Sequence, residues 1–249
     1  MAGHSHWAKI KRAKGANDAK RGREWSKLAR RIIVAAKLGG GNPDENLSLR
    51  YAIDDAKAAN MPKDTIANAV KKGAGGLDAE NFESIVYEGY GPGGVAFMVD
   101  CLTNNRARTA PEMRKIFERG NGQLGASGCV GWMFEQKGVF TVSSDATTED
   151  KLMEIALDAE AEDVRPDGDS FEVTCAPQNF HKVKQALAAA NIATQSAAIA
   201  MLPKNTVSVE GDTAASIVRL METFEDHEDV QNVYANFDIS EEAMQNAAE

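Results

Sequence analysis

Cysteine is scarce: Cys101, Cys129 and Cys175 are the three in a chain of 249 residues. Their odd number and the lack of CxxC spacing exclude a disulfide framework and a zinc site, so three reduced thiols are expected. No apolar run approaches the roughly 18 residues that a membrane-spanning helix needs. The basic N-terminus has no apolar stretch behind it, which speaks against a secretory signal. Asp18, Glu24 and the few serines there speak against a mitochondrial transit peptide. HExxH, GxSxG and the phosphate-binding P-loop are all missing. The carboxylates crowding residues 145–172 have no apolar pocket among them and read as a solvated face. These absences point to a cytoplasmic protein with no membrane segment, catalytic residues, cofactor or metal.

The chain does have charge, unevenly placed. It carries 28 basic and 37 acidic residues, a net −9. Residues 1–37 hold eleven basic side chains and only two acidic ones, Asp18 and Glu24, leaving 17 basic and 35 acidic for the remainder. The net charge therefore hides a strongly cationic leading segment on an anionic body, and such asymmetry points to a polyanionic partner. Hydrophobic residues at 43% supply ample apolar sequence for one to three domains.

Residues 1–16 lack an apolar period and read as a flexible basic arm. From Asn17, the residues Trp25, Leu28, Ala29, Ile32, Ile33 and Ala36 recur on one face of a helix. Lys20, Arg23, Lys27, Arg30 and Arg31 fall on the opposite side. Gly39–Gly41 ends that helix, and Asn42-Pro43-Asp44-Glu45 predicts the N-terminus of the next, with Asn42 as cap. Pro62 opens a third helix, giving a three-helix unit over 17–73. GAGGLDAEN at 73–81 reads as a linker.

After the linker the period drops to two. A hairpin is predicted around Gly89–Gly94, then a helix near Thr109–Arg119 and strands at 131–136 and 138–143. Residues 138–203 run β-α-β-β-α-β, the ferredoxin-like order. Residues 204–239 form only β-α-β, too little for a domain, so they are expected to complete 82–136. Fold class is thus α+β: an N-terminal three-helix domain followed by two α+β modules, one ferredoxin-like and inserted into the other. The last ten residues read as frayed.

Gly89-Tyr90-Gly91-Pro92-Gly93-Gly94 formally matches GxGxxG, but a strand follows it where a dinucleotide site needs a helix. It reads as a turn. Ala2-Gly3-His4 could hold copper(II) or nickel(II) after Met1 removal, a chemistry any such N-terminus shares. His181 and His227 read as surface residues.

The basic segment is the strongest signal. Lys9, Lys11, Arg12 and Lys14 on the arm, with Lys20, Arg21, Arg23, Lys27, Arg30 and Arg31 on the first helix, suit phosphate neutralisation. His4, His6 and Trp7 interleave rings that can stack on unpaired bases.

The runs MAGHSHWAKIKRAK, AAKLGGGNPDEN, NMPKDTI, YEGYGPGGVAFMVDCLTNNRART and GQLG…GCVGWMF resemble the YebC/PmpR family, which includes the mitochondrial translational activator of cytochrome c oxidase. GHSHW departs from the GHSKW or GHNKW of the family pattern at His6. The resemblance implies a three-domain α+β protein, helical at the N-terminus, without a known catalytic site. It also implies one of two roles: a DNA-binding transcriptional regulator of the cytoplasm, or a ribosome-associated factor easing translation through proline-rich stretches.

The expected function is a non-enzymatic, nucleic-acid-binding regulator of gene expression, expected as a monomer. DNA and ribosomal RNA both stay open as the target. The first helix offers phosphate-binding Lys and Arg but few base-reading groups, which favours RNA; the family label points to DNA. The alternative is a protein-interaction or assembly module working through the acidic α+β modules.

Overall fold

The computed structural model describes residues 18–75 and 82–239, with side chains from Arg21 onward. The arm, the start of the first helix at residue 17, part of the 73–81 linker and the C-terminal tail lie outside the described residues. No helix among those described is long and apolar enough to cross a membrane.

Three helices form the first layer: α1 (Asp18–Gly39), α2 (Leu47–Ala58) and α3 (Lys63–Ala74). The apolar stripe of α1 buries Leu28, Ile32, Ile33 and Ala36 against Leu49, Ala52 and Ala56 of α2 and Ile66 and Ala69 of α3. Each buried leucine or isoleucine among them contributes about 1.5–3 kcal/mol. Trp25 is half-buried and donates its indole N–H to the Ala59 carbonyl at 3.0 Å. Gly73 lets α3 approach α1 closely: a Cβ there would lie 2.4 Å from the Ile33 carbonyl oxygen.

The second helix starts at Leu47, four residues beyond the predicted position of Pro43. Asn42 instead accepts the Asp44 N–H in a local turn. Asn46 is the cap. It accepts from Leu49 N at 3.1 Å and donates to the Ala35 and Gly40 carbonyls at 2.7 and 2.8 Å. Asn46 is selected because it satisfies two helix ends at once.

The first sheet has the order β3-β1-β2-β9 and is antiparallel throughout: β1 (Glu83–Tyr90), β2 (Ala96–Thr103), β3 (Gln123–Leu124) and β9 (Val230–Ala235). On it pack α4 (Arg106–Arg119) and α7 (Gly211–Asp226). Phe97, Phe117 and Phe224 meet between sheet and helices, the last two with ring centroids 4.8 Å apart. Helix α4 begins three residues before the predicted Thr109, because Asn105 caps it by accepting Arg108 N at 3.1 Å.

Between β3 and the return to this sheet the chain builds β4 (Phe134–Ser143), α5 (Glu149–Asp158), β5 (Ala161–Asp167), β6 (Ser170–Cys175), α6 (Phe180–Ala189) and β7 (Thr194–Pro203). Their order, β5-β6-β4-β7 with every pair antiparallel, is ferredoxin-like. Its core holds Phe140, Val142, Leu152, Val183 and Leu187.

Residues 134–143 make one strand, not two. Gly138 does not break it: a Cβ there would meet Cys175 Sγ at 2.6 Å, so the glycine serves packing. Conversely, the single strand expected to end the β-α-β of 204–239 is two, β9 and β10 (Phe237–Asp238), the latter parallel to β8 (Val207–Ser208). Asn236 divides them by accepting the Ala96 N–H at 2.7 Å with its side chain. The sheets join through Ala96, Met98 and Tyr234 on one and Phe134 and Ala200 on the other.

Candidate nucleic-acid interface

Helix α1 lies with its basic side against the body. Arg23 pairs with Asp226 at 3.0 Å, and the Lys27 ammonium donates to the Glu225 carbonyl. Arg30 donates to the Glu228 carbonyl at 2.6 Å and pairs with Asp229 at 2.9 Å and Glu228 at 3.3 Å. Arg31 pairs with Asp55 on α2 at 3.1 Å. Arg23, Lys27 and Arg30 therefore meet carboxylates and carbonyls at the end of α7 and in the turn to β9, while Arg31 meets α2.

Asp229 is the centre of this contact, its side chain 1% exposed. One oxygen takes Arg30; the other takes Arg108 of α4 at 2.7 Å and the Thr109 hydroxyl at 2.8 Å. Burial alone would raise this carboxyl. The hydrogen bonds from Arg108 and Thr109, and the charges of Arg108 and Arg30, outweigh it and hold the group below the usual carboxylate range.

His227 is half-buried beside it, not a free surface residue. Its Nδ1 accepts the Asp229 N–H at 3.1 Å, so Nε2 carries the proton that reaches Glu112 at 3.0 Å. Glu112, His227 and Asp229 bring three ligand-type atoms within 4.8 Å of one another. A cation there would displace or face two guanidinium groups, so the donor set suits a hydrogen-bonded latch, not a metal.

A second carboxylate organises the loop after β3. Glu88 accepts backbone N–H groups from Gly128, Val130 and Gly131 at 2.7–2.8 Å. Burial pushes its pKa up, and the three donors together bring it below the ordinary value. The loop presents Trp132, 64% exposed, beside the exposed Tyr90. Both side chains donate to the Cys129 carbonyl. The Gly89–Gly94 motif is the β1–β2 turn, with Gly93 and Gly94 at φ of 68° and 76°. No helix N-terminus follows it.

Two family models match, "TACO1/YebC protein N-terminal domain" over residues 5–76 and "TACO1/YebC second and third domain" over 82–237. The chain belongs to the TACO1/YebC family. It is 52% identical over 244 residues to a "Probable transcriptional regulatory protein" of Desulfatibacillum aliphaticivorans, covering 98% of this chain and 99% of that one. A relative of the same description from Geobacter sulfurreducens is 50% identical over 98% of this chain and 99% of its own length. A solved structure, of a conserved hypothetical protein from Aquifex aeolicus, superposes with a TM-score of 0.81 at 45% identity, covering 90% of this chain and 93% of that one. The curated relatives are named as regulatory proteins, not as enzymes.

For this TACO1/YebC protein the expected site residues divide into three groups. His4, His6, Trp7, Lys9, Lys11, Arg12 and Lys14 lie outside the described residues, as does the side chain of Lys20. Arg21 is exposed near the start of α1. Arg23, Lys27, Arg30 and Arg31 are brought together, but toward intramolecular partners. Sequence reasoning missed Asp229, which nothing in its neighbourhood distinguishes. It also missed the basic content of α4, for which RARTAPEMRKIFER was a visible signal.

Proposed function

We propose that this protein is a cytoplasmic, non-catalytic regulator of gene expression that binds nucleic acid through its cationic leading end. The observation carrying this reading is the segregation of charge, eleven basic against two acidic residues in 1–37. Lys9, Lys11, Arg12, Lys14, Lys20 and Arg21 neutralise phosphates, while His4, His6 and Trp7 stack on unpaired bases. The acidic body repels the backbone and fixes orientation. The protein acts as a monomer.

Magnitudes assign the remaining basic residues of α1. Arg23–Asp226 and Arg31–Asp55 are exposed pairs, worth about 0–1 kcal/mol, which a phosphate can replace. Arg30–Asp229 is different. Breaking a buried pair costs about 3–5 kcal/mol, so Arg30, with Lys27 beside it, holds the helix on the body. Arg23 and Arg31 are recruitable; Lys27 and Arg30 are structural.

Single-stranded or structured RNA, such as that of the ribosome, fits this cationic, aromatic arm better than a duplex does. The cations suit backbone contact, and the rings need unstacked bases. The names of the relatives favour the second reading, duplex DNA at promoters. Full-length Lys9→Glu/Lys11→Glu/Lys14→Glu should bind ribosomes more weakly, with a flatter slope of log K against log salt. An unchanged slope removes the arm from binding. Stronger retention on promoter fragments than on ribosomes at physiological salt selects DNA.

A further inference from the structure

We infer that the outer face of α4 is a second nucleic-acid contact surface; this rests on the reading above and extends it to the body. Residues 82–239 hold twelve basic and 25 acidic side chains, and five of the twelve lie within the fourteen residues of α4: Arg106, Arg108, Arg114, Lys115 and Arg119. All five are exposed; the acids on the same helix are Glu112 and Glu118.

Elsewhere in the body three of the seven basic residues have carboxylate partners: Lys137 with Glu162, Arg165 with Asp163, Lys182 with Glu160. On α4 only Arg108 does. Among the described residues, Arg106, Arg114, Lys115 and Arg119 form no ion pair.

Helix stability does not account for this arrangement. Arg106 and Arg108 oppose the macrodipole in the first turn, where no acid is present. Lys115 and Arg119 are like charges at i, i+4, which cost a helix about 0.2–0.5 kcal/mol. The pair with Asp229 offsets the cost at Arg108, and the negative helix end suits Arg119. That leaves Arg106 and Lys115 as local rules broken without structural return, and such breaks point to function.

The geometry suits a polyanion. Arg108, Lys115 and Arg119 follow at i, i+7 and i+11, opposite the buried Met113 and Phe117, a stripe about 16 Å long at 1.5 Å per residue. It begins where the Asp229 carboxylate joins Arg108 to Arg30, and so adjoins α1. Past its other end the chain turns at Gly122, whose Cβ would meet the Tyr90 carbonyl at 2.5 Å. That turn leads into β3, where Gln123 pairs with Tyr90 of β1, and the exposed rings of Tyr90 and Trp132 meet at the Cys129 carbonyl beyond it. Cations with neighbouring exposed aromatics fit phosphates and unpaired bases, and guanidinium groups bind phosphate in a fork.

The test uses the full-length Arg114→Ala/Lys115→Ala/Arg119→Ala variant, leaving the latch residue Arg108 intact. Lys151→Ala/Lys182→Ala/Arg219→Ala, three exposed cations elsewhere on the body, controls for net charge. Probes are a single-stranded RNA oligonucleotide, a duplex DNA, purified ribosomes and a polyglutamate peptide, with a variant lacking residues 1–17 in parallel. Thermal melting should be unchanged in the α4 variant. Its affinity for RNA or ribosomes should fall about tenfold or more, with the salt slope reduced by about 2, and the control should match wild type. Wild-type binding by the α4 variant, together with weak binding by the truncated one, overturns this inference and leaves the proposed function standing. Undiminished binding by the truncated protein overturns the proposed function instead. Loss of polyglutamate capture alone assigns the face to an acidic protein and overturns the inference as well.

Discussion

Helices α1 and α4 are both rich in arginine, yet their charges are used differently. On α1, Arg23, Lys27, Arg30 and Arg31 are held by side chains or carbonyls of the folded protein. On α4, only Arg108 is so held. A count of basic residues ranks α1 first, but availability ranks them the other way. The two helices meet at Asp229, so one buried carboxylate both docks the first and anchors the second.

The largest expected effect removes that shared anchor. Asp229→Ala leaves Arg30 and Arg108 without their buried partner and should cost about 3–5 kcal/mol in denaturant unfolding. A loss below about 1 kcal/mol would mean that α1 does not depend on this contact. Next comes Glu88→Ala, which strands three backbone donors and should cost about 3 kcal/mol while leaving the α1 contact intact.

Acid should act through the same two groups. Both carboxyls sit below their ordinary values in the fold, so their stabilisation is complete above the unfolded pKa of about 4. It is lost as pH falls through the folded values. Unfolding followed from pH 6 to 2 should steepen below about 4. Asp229→Asn should flatten that acid limb, and an unaltered limb would contradict the assignment. The smallest effect belongs to the exposed pair: a double-mutant cycle on Arg23 and Asp226 should return about 0–1 kcal/mol, vanishing at high salt.

What could be read from the residues depended on range. Periodicity located α1 and α3, and the β-α-β-β-α-β order pointed to the ferredoxin-like module, because those signals lie within single elements. The choice between Asn42 and Asn46 as cap was not legible, since it turns on the Ala35 and Gly40 carbonyls at the end of another helix. The gap expected between residues 136 and 138 does not occur, and the reason for Gly138, the Cys175 sulfur on the paired strand and the Phe180 ring on α6, lies outside the local sequence. The partners of Arg23, Lys27 and Arg30 lie 198 to 203 residues away, beyond any local pattern. The charge of α4 was legible; that four of its five cations form no ion pair among the described residues was not.

The most direct measurement is photocrosslinking of the intact protein to nucleic acid in cells, with adduct-bearing peptides mapped by mass spectrometry. The account predicts adducts in the segment containing His4, His6 and Trp7, and along α4 or at Trp132, with the attached nucleotide identifying RNA or DNA. Adducts confined to the ferredoxin-like module, or none at all, would contradict it.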